Sequence, residues 1–130
     1  MIVVLDTNVW ASALEFGGVP DRAVFRALTH DKLAISDFIQ AEILRVLTHK
    51  FGRNAQELQA QLDELLIEAL FVQVTGKIKG ICRDAKDDAI LETAWEAGAG
   101  LLVAGDKDVL TLREFRGIAI VSPAIYLKIL

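Results

Sequence analysis

The chain has 130 residues, 53% of them hydrophobic, a formal net charge of −4 and one cysteine. This length fits one compact domain, residues 1–130, and the apolar content excludes wholesale disorder. A single thiol excludes an internal disulfide, no apolar run reaches the roughly 18 to 20 residues that span a bilayer, and the first residues lack the basic region of a signal peptide, so we expect a cytoplasmic protein.

Short apolar runs alternate along the chain with longer stretches of helical periodicity. Ile2 to Leu5 form a continuous apolar run, which is typical of a strand buried on both faces. Pro20 suits the first turn of a helix, Ser36 and Asn54 suit N-caps, and Gly52 suits a helix end. In chain order, we predict strands over residues 2–5, 33–35, 71–74, 101–104 and 118–121, and helices over residues 8–14, 20–30, 37–50, 54–70 and 88–97, with a last helix starting at Ser122.

This alternation predicts an α/β fold. Strands that follow one another through helices form right-handed crossovers, which give a five-stranded parallel sheet with helices on both sides. Such a sheet binds its ligand in the crevice at the carboxyl ends of the strands. The residues that follow each strand are therefore the first candidates for a functional site.

Four acids fall at or near this edge of the predicted sheet. Asp6 directly follows the first strand and Asp106 follows the fourth. Asp88 starts the helix that precedes the fourth strand, and Glu42 lies about two turns beyond Ser36 in the helix that follows the second. We expect these four carboxylates to lie together.

Grouped carboxylates need a compensating charge. Two unit charges about 4 Å apart repel by roughly 4 kcal/mol at an effective dielectric constant of 20. A hard divalent cation such as Mg²⁺ offsets this repulsion, prefers carboxylate oxygens and supports phosphodiester hydrolysis. The four acids therefore indicate a metal-dependent nuclease.

Each acid also has a structural interpretation. Asp87 and Asp88 suit a helix N-terminus, Glu42 is spaced to pair with Arg45, and Asp106 and Asp108 suit a turn. Asp6 is the hardest to explain in this way, because an acid directly after a buried strand is a poor core residue.

The four acids lie in four short motifs spread over nearly the whole chain. They are Val4-Leu5-Asp6-Thr7-Asn8-Val9, then Ser36 with Ala41-Glu42-Ile43-Leu44, then Cys82-Arg83-Asp84-Ala85-Lys86-Asp87-Asp88 with Ala89-Ile90-Leu91, then Val103-Ala104-Gly105-Asp106-Lys107-Asp108. Each motif is weak alone, but together, and in this order, they resemble those of the PIN-domain family, including its subgroup of toxins from bacterial toxin–antitoxin systems. The subgroup often has Pro at the position of Ala85.

The resemblance implies a three-layer α/β/α fold and an endoribonuclease that uses Mg²⁺ or Mn²⁺ to cleave single-stranded RNA. By position, Asp6, Glu42, Asp88 and Asp106 would be its metal-binding and catalytic acids. Asp88 is preferred over its neighbour because the pattern Asp88-Ala89-Ile90-Leu91 continues into the helix. The supporting residues would be Thr7 and Asn8, through hydrogen bonding at the turn of Asp6, with Ser36, Asp84, Asp87 and Asp108.

The resemblance also implies a cognate antitoxin as partner. The mean hydropathy of +0.39 is consistent with an apolar surface for that partner or for a homo-oligomer, although a well-packed core explains it too. Basic residues before the third acidic motif are candidates for RNA phosphate contacts, unless they are simply a solvated loop. These are Lys77, Lys79, Arg83 and Lys86.

Two other functions compete with the nuclease. An Asp after the first strand is shared with aspartate-dependent phosphatases, but those usually carry a second Asp at the position that Asn8 occupies here. The chain could also be a non-catalytic PIN-like module that binds RNA or protein, against which the retention of all four acids argues.

Overall fold

A mixed β-sheet forms the centre of the protein, whose computed structural model describes residues 1–129. Five strands are parallel, as predicted, and a sixth joins one edge in the antiparallel direction. The strands are β1 (Ile2–Leu5), β2 (Lys32–Ser36), β3 (Leu70–Val72), β4 (Leu101–Val103), β5 (Glu114–Phe115) and β6 (Ile118–Val121). Their spatial order is β3-β2-β1-β4-β6-β5, so β1 lies between β2 and β4.

Helices cover both faces of this sheet. Right-handed crossovers place the first four helices on one face and the fifth on the other, which confirms the three-layer α/β/α fold. Among residues 1–129, no helix combines the length and the apolar composition that crossing a bilayer would need. The helices are α1 (Thr7–Phe16), α2 (Gly18–Thr29), α3 (Asp37–Phe51), α4 (Ala55–Leu65), α5 (Ala85–Ala97), α6 (Lys107–Leu110) and α7 (Pro123–Tyr126).

The register of the central strands brings their carboxyl ends to one edge. Val4 of β1 pairs with Ala34 of β2 on one side and with Leu102 of β4 on the other, and all three are fully buried. The backbone N–H of Asp6 then donates to the carbonyl of Val103, 2.9 Å away, so the pairing of β1 with β4 continues to the first residue beyond β1.

The predicted helix caps are confirmed. The Ser36 hydroxyl accepts from the Ile39 N–H at 3.1 Å and begins α3, and the Asn54 side chain accepts from the Glu57 N–H at 3.0 Å and begins α4. Gly52 ends α3 in the left-handed region, with φ of 66°, which favours glycine. These caps fix where the helix that carries Glu42 begins and ends.

Several predicted boundaries were wrong. α4 ends at Leu65 rather than near residue 70, because the apolar residues beyond it form a turn before β3. α5 begins at Ala85 rather than at Asp88, because Asp84 caps it. The short α6 and β5 were not predicted, since four and two residues are too few to show periodicity.

Candidate active site

Asp6 is a buried carboxylate that joins two strand ends. It caps α1, where its Oδ1 accepts from the Val9 N–H, and its Oδ2 accepts from the Gly105 N–H beyond β4, both at 2.9 Å. Its side chain is 3% exposed, and this burial raises the pKa of Asp6 to about 6 despite the backbone hydrogen bonds, which act in the opposite direction. Asp6 thus holds the β1–α1 turn against the β4–α6 turn.

The residues that follow Asp6 do not support it in the predicted way. Hydrogen bonds from the Thr7 and Asn8 side chains to Asp6 are not found within residues 1–129, where its two oxygens accept instead from the backbone N–H groups of Val9 and Gly105. The Thr7 hydroxyl is buried and has no hydrogen-bond partner among residues 1–129. Both residues nevertheless line the cavity beside Asp6.

Asp106 lies in the turn that follows β4, where it begins the short helix α6. Its Oδ1 accepts from the Asp108 N–H at 2.7 Å, so it is an N-cap as well as a candidate ligand. The preceding Gly105 packs closely on α1, where a Cβ would lie 3.4 Å from that of Asn8. Asp106 is therefore held next to Asp6 by both chain direction and packing.

Asp87, rather than Asp88, faces the same cavity. Burial, together with the nearby charges of Asp106, Asp84 and Asp108, raises the pKa of Asp87 to about 6. Asp84 caps α5 by accepting from the Lys86 N–H at 2.9 Å and also lines the cavity.

Asp88 points elsewhere, because adjacent residues of a helix project about 100° apart. It is 5% exposed, and its carboxylate accepts from the N–H groups of Gly80 at 3.0 Å and Cys82 at 2.8 Å. The geometry therefore favours Asp87 at the position for which the sequence favoured Asp88.

A second buried acid of α5 performs the same task as Asp88. Glu92 lies one turn further along and accepts from the N–H groups of Thr75 at 2.6 Å and Ile78 at 3.1 Å. Its burial opposes ionisation, but these backbone donors outweigh that effect and lower the pKa of Glu92. Together Asp88 and Glu92 anchor the loop 73–84, which ends in the cap of α5. Sequence reasoning missed Glu92, although an acid four residues from Asp88 on one helix face was visible.

Three carboxylates approach one another closely enough to share a cation. Single oxygens of Asp87, Asp106 and Asp108 all lie within 4.8 Å of one another. Carboxylate oxygens are the ligands that Mg²⁺ and Mn²⁺ prefer, and the raised pKa of Asp87 reflects its burial and then its negative neighbours, so these residues fit such an ion.

Glu42 reaches the cavity from α3 in a different environment. Its side chain is 12% exposed, and its Oε2 lies 2.6 Å from Nη2 of Arg45, as the structural interpretation of this residue predicted. Its Oε1 lies 3.9 Å from Nζ of Lys86.

The cavity measures about 210 Å³, and its charged lining consists of Asp6, Glu42, Asp84, Asp87, Asp106, Arg45 and Lys86.

The four basic candidates separate into two groups. Lys86 lines the cavity, and Arg83 pairs with Asp108 at 2.9 Å beside it. Lys77 instead pairs with Glu96 at 2.8 Å, and Lys79 borders a different cavity beneath the loop 73–84. Arg45 is the cavity cation that sequence reasoning assigned only to a pairing with Glu42. Ser36 lies behind the site, where its hydroxyl is 2.8 Å from that of Thr93 in α5.

This chain was compared with known protein families, curated proteins and solved structures. A family model described as PIN domain matches residues 2–108. Among curated proteins no sequence matches the chain significantly.

Two solved structures resemble the fold over most of their length. One is VapBC2 from Rickettsia felis bound to a DNA fragment from the promoter, with 18% identity, a TM-score of 0.66, and coverage of 92% of this chain and 97% of that one. The other is VapC20 from Mycobacterium tuberculosis, a toxin that cleaves the sarcin–ricin loop, with 16% identity, a TM-score of 0.63, and coverage of 90% and 98%.

The substitution Asp88→Asn is expected to destabilise the protein. Asn offers one acceptor oxygen, so its amide group would face one of the two backbone donors, and we expect a loss of about 1–3 kcal/mol. Urea denaturation in EDTA measures this loss, with the neighbouring Asp87→Asn as the matched control, which removes a charge but no hydrogen bond to the loop. An equal loss in both variants would contradict the structural role of Asp88.

The substitution Asp87→Asn is expected to have the opposite effect on stability, and the size of this effect depends on pH. Folded Asp87 keeps its proton to about pH 6, whereas the unfolded chain releases it near 3.8, so the folded state binds more protons between these values. Stability that depends on Asp87 is therefore fully present below about pH 4 and is lost as the pH rises through about 6. In EDTA, the thermal midpoint of Asp87→Asn should exceed that of the wild type by more at pH 7.5 than at pH 4.5. A difference that does not change with pH would show that Asp87 is not crowded by negative charge.

Proposed function

The chain belongs to the PIN-domain family, and on this premise we propose that it is a Mg²⁺- or Mn²⁺-dependent endoribonuclease that cleaves single-stranded RNA. The observation that carries the proposal is the convergence of Asp6, Asp87 and Asp106 on one cavity from three separate segments. Like charges grouped in this way oppose folding, and a cation on a phosphodiesterase site accounts for their presence.

Each acid has a distinct part in this proposal. Asp87 and Asp106, with Asp108 beside them, would hold the metal ion, which supplies a lowered water pKa and offsets charge on the phosphodiester when it is bound. Asp6 accepts one backbone hydrogen bond on each oxygen, so it orients the turn that carries Asp106 and adds negative charge behind the ligands. Asp84 caps the helix that presents Asp87.

The phosphatase alternative loses support from the same geometry. A nucleophilic Asp6 would need an oxygen open to attack phosphorus, but that side chain is only 3% exposed, and the backbone hydrogen bond that each oxygen accepts weakens it as a nucleophile. A purely binding role would leave the crowding of Asp87, Asp106 and Asp108 without a purpose. Cleavage is therefore the function that the arrangement supports best.

Cleavage of single-stranded RNA tests this proposal. Wild type should cleave with Mg²⁺ or Mn²⁺ but not in EDTA, and Asp87→Asn and Asp106→Asn should reduce the rate by about 10- to 100-fold or more, because each removes a ligand charge. Asp63→Asn is the control, since Asp63 is exposed on α4 and bonds only to Gln59 among the described residues. Activity that survives in Asp87→Asn and Asp106→Asn would disprove the assignment.

We further propose that the protein is the toxin of a toxin–antitoxin pair, which the fold shared with VapBC2 and VapC20 supports. Its expression without a partner should arrest bacterial growth, and Asp106→Asn should abolish the arrest. Coexpression of a short protein encoded next to this gene should restore growth and copurify with the chain. Normal growth with the wild type, at protein levels equal to those of Asp106→Asn, would count against toxicity. That the protein forms a homo-oligomer remains a separate prediction, which size-exclusion chromatography can check.

A further inference from the structure

Glu42 differs from the other carboxylates of the cavity in its partners. Asp6 is held by backbone amides, and Asp87 and Asp106 face other acids, whereas each oxygen of Glu42 faces a cation. Glu42 is also not a member of the set of oxygens within 4.8 Å that Asp87, Asp106 and Asp108 form. The negative charge of Glu42 is thus compensated by two cations, whereas Asp87 and Asp106 have no ion pair among the described residues and Asp108 pairs with the exposed Arg83.

The two cations remain accessible despite this pairing. The side chains of Arg45 and Lys86 are 52% and 57% exposed, while that of Glu42 is 12% exposed. One carboxylate between two cations leaves one formal positive charge on this part of the cavity wall. Arg45 comes from α3 and Lys86 from the first turn of α5, so their positions depend on two helices that converge at the site.

An RNA backbone that enters the cavity needs positive charge beyond the acidic cluster. Phosphate groups are repelled by Asp87 and Asp106 until a metal ion neutralises them, but Arg45 and Lys86 present charged N–H donors without any metal. An arginine suits this task because its planar fork matches phosphate oxygens.

We propose that Arg45 and Lys86 bind adjacent phosphate oxygens of the RNA backbone, and that Glu42 positions these two cations rather than ligating the metal ion. This inference rests on the proposed ribonuclease function and gives it a substrate-binding surface. We define the surface as the Arg45–Lys86 pair.

RNA binding tests the pair without any need for catalysis. A fluorescent single-stranded RNA is titrated with protein in Ca²⁺ over a series of KCl concentrations, and its integrity is checked by gel electrophoresis. For single strands, log Kd changes with log salt by about 0.7 for each neutralised phosphate. Arg45→Gln and Lys86→Gln should each weaken binding several-fold and lower this slope by about 0.7.

Charge-matched controls separate phosphate binding from folding. Arg45→Lys keeps the charge and should restore most of the slope that Arg45→Gln loses. Lys32→Gln should keep the wild-type slope, because Lys32 lies at the amino end of β2, on the opposite edge of the sheet, and donates to the carbonyl of Glu68. A slope unchanged in Arg45→Gln, or a wild type that does not bind RNA, would overturn the proposal.

Calorimetric titration with Mn²⁺, without RNA, tests the role of Glu42. Asp106→Asn should weaken Mn²⁺ binding by at least about tenfold, whereas Glu42→Gln should leave it within a few-fold of the wild type. Equal losses in both variants would make Glu42 a metal ligand and refute its positioning role. If wild type binds RNA with the expected slopes but never cleaves it, the proposed ribonuclease function fails while the Arg45–Lys86 pair stands.

Discussion

The carboxylate of Asp6, which accepts two backbone hydrogen bonds from different segments, is the interaction on which the geometry of the site depends. Val9 belongs to the helix after β1, and Gly105 follows β4, 99 positions away from Asp6 in sequence. Parallel pairing brings these strands side by side, but it leaves the turns beyond them free to diverge. Asp6 closes this gap, so that Asp106 lies next to it.

The burial and crowding of carboxylates at this site cost free energy of folding, which the rest of the protein offsets. Buried and crowded carboxylates favour their protonated forms, which explains why Asp6 and Asp87 both have a pKa of about 6. Asp88 and Glu92 instead each accept two backbone N–H donors from the loop 73–84, and these donors lower the pKa of Glu92. Acids of one chemical type thus divide into anchors and candidate ligands according to what faces them.

Sequence periodicity predicted the parallel strands, the capped helices and the edge at which the acids meet, because burial and capping leave local patterns. The choice between Asp87 and Asp88 could not be made from local sequence: both suit the first turn of a helix, and the helical pattern that follows Asp88 favoured that residue, whereas the geometry favours Asp87. It depends on the loop 73–84, whose amides occupy Asp88 and leave Asp87 turned towards the cavity. The second contact of Glu42, with Lys86, was equally invisible, because the two residues come from different helices.

The anchoring of the loop 73–84 has a consequence for how the protein can evolve. Asp88 and Glu92 bind main-chain N–H groups, which every residue except proline provides. Apart from Gly76 and Gly80, whose φ values of 86° and 72° favour glycine, the buried Ile78 and the helix cap Asp84, side chains along this loop can be exchanged while its path is kept. The surface beside the carboxylate cluster can therefore change by drift in one segment while the cluster itself is kept.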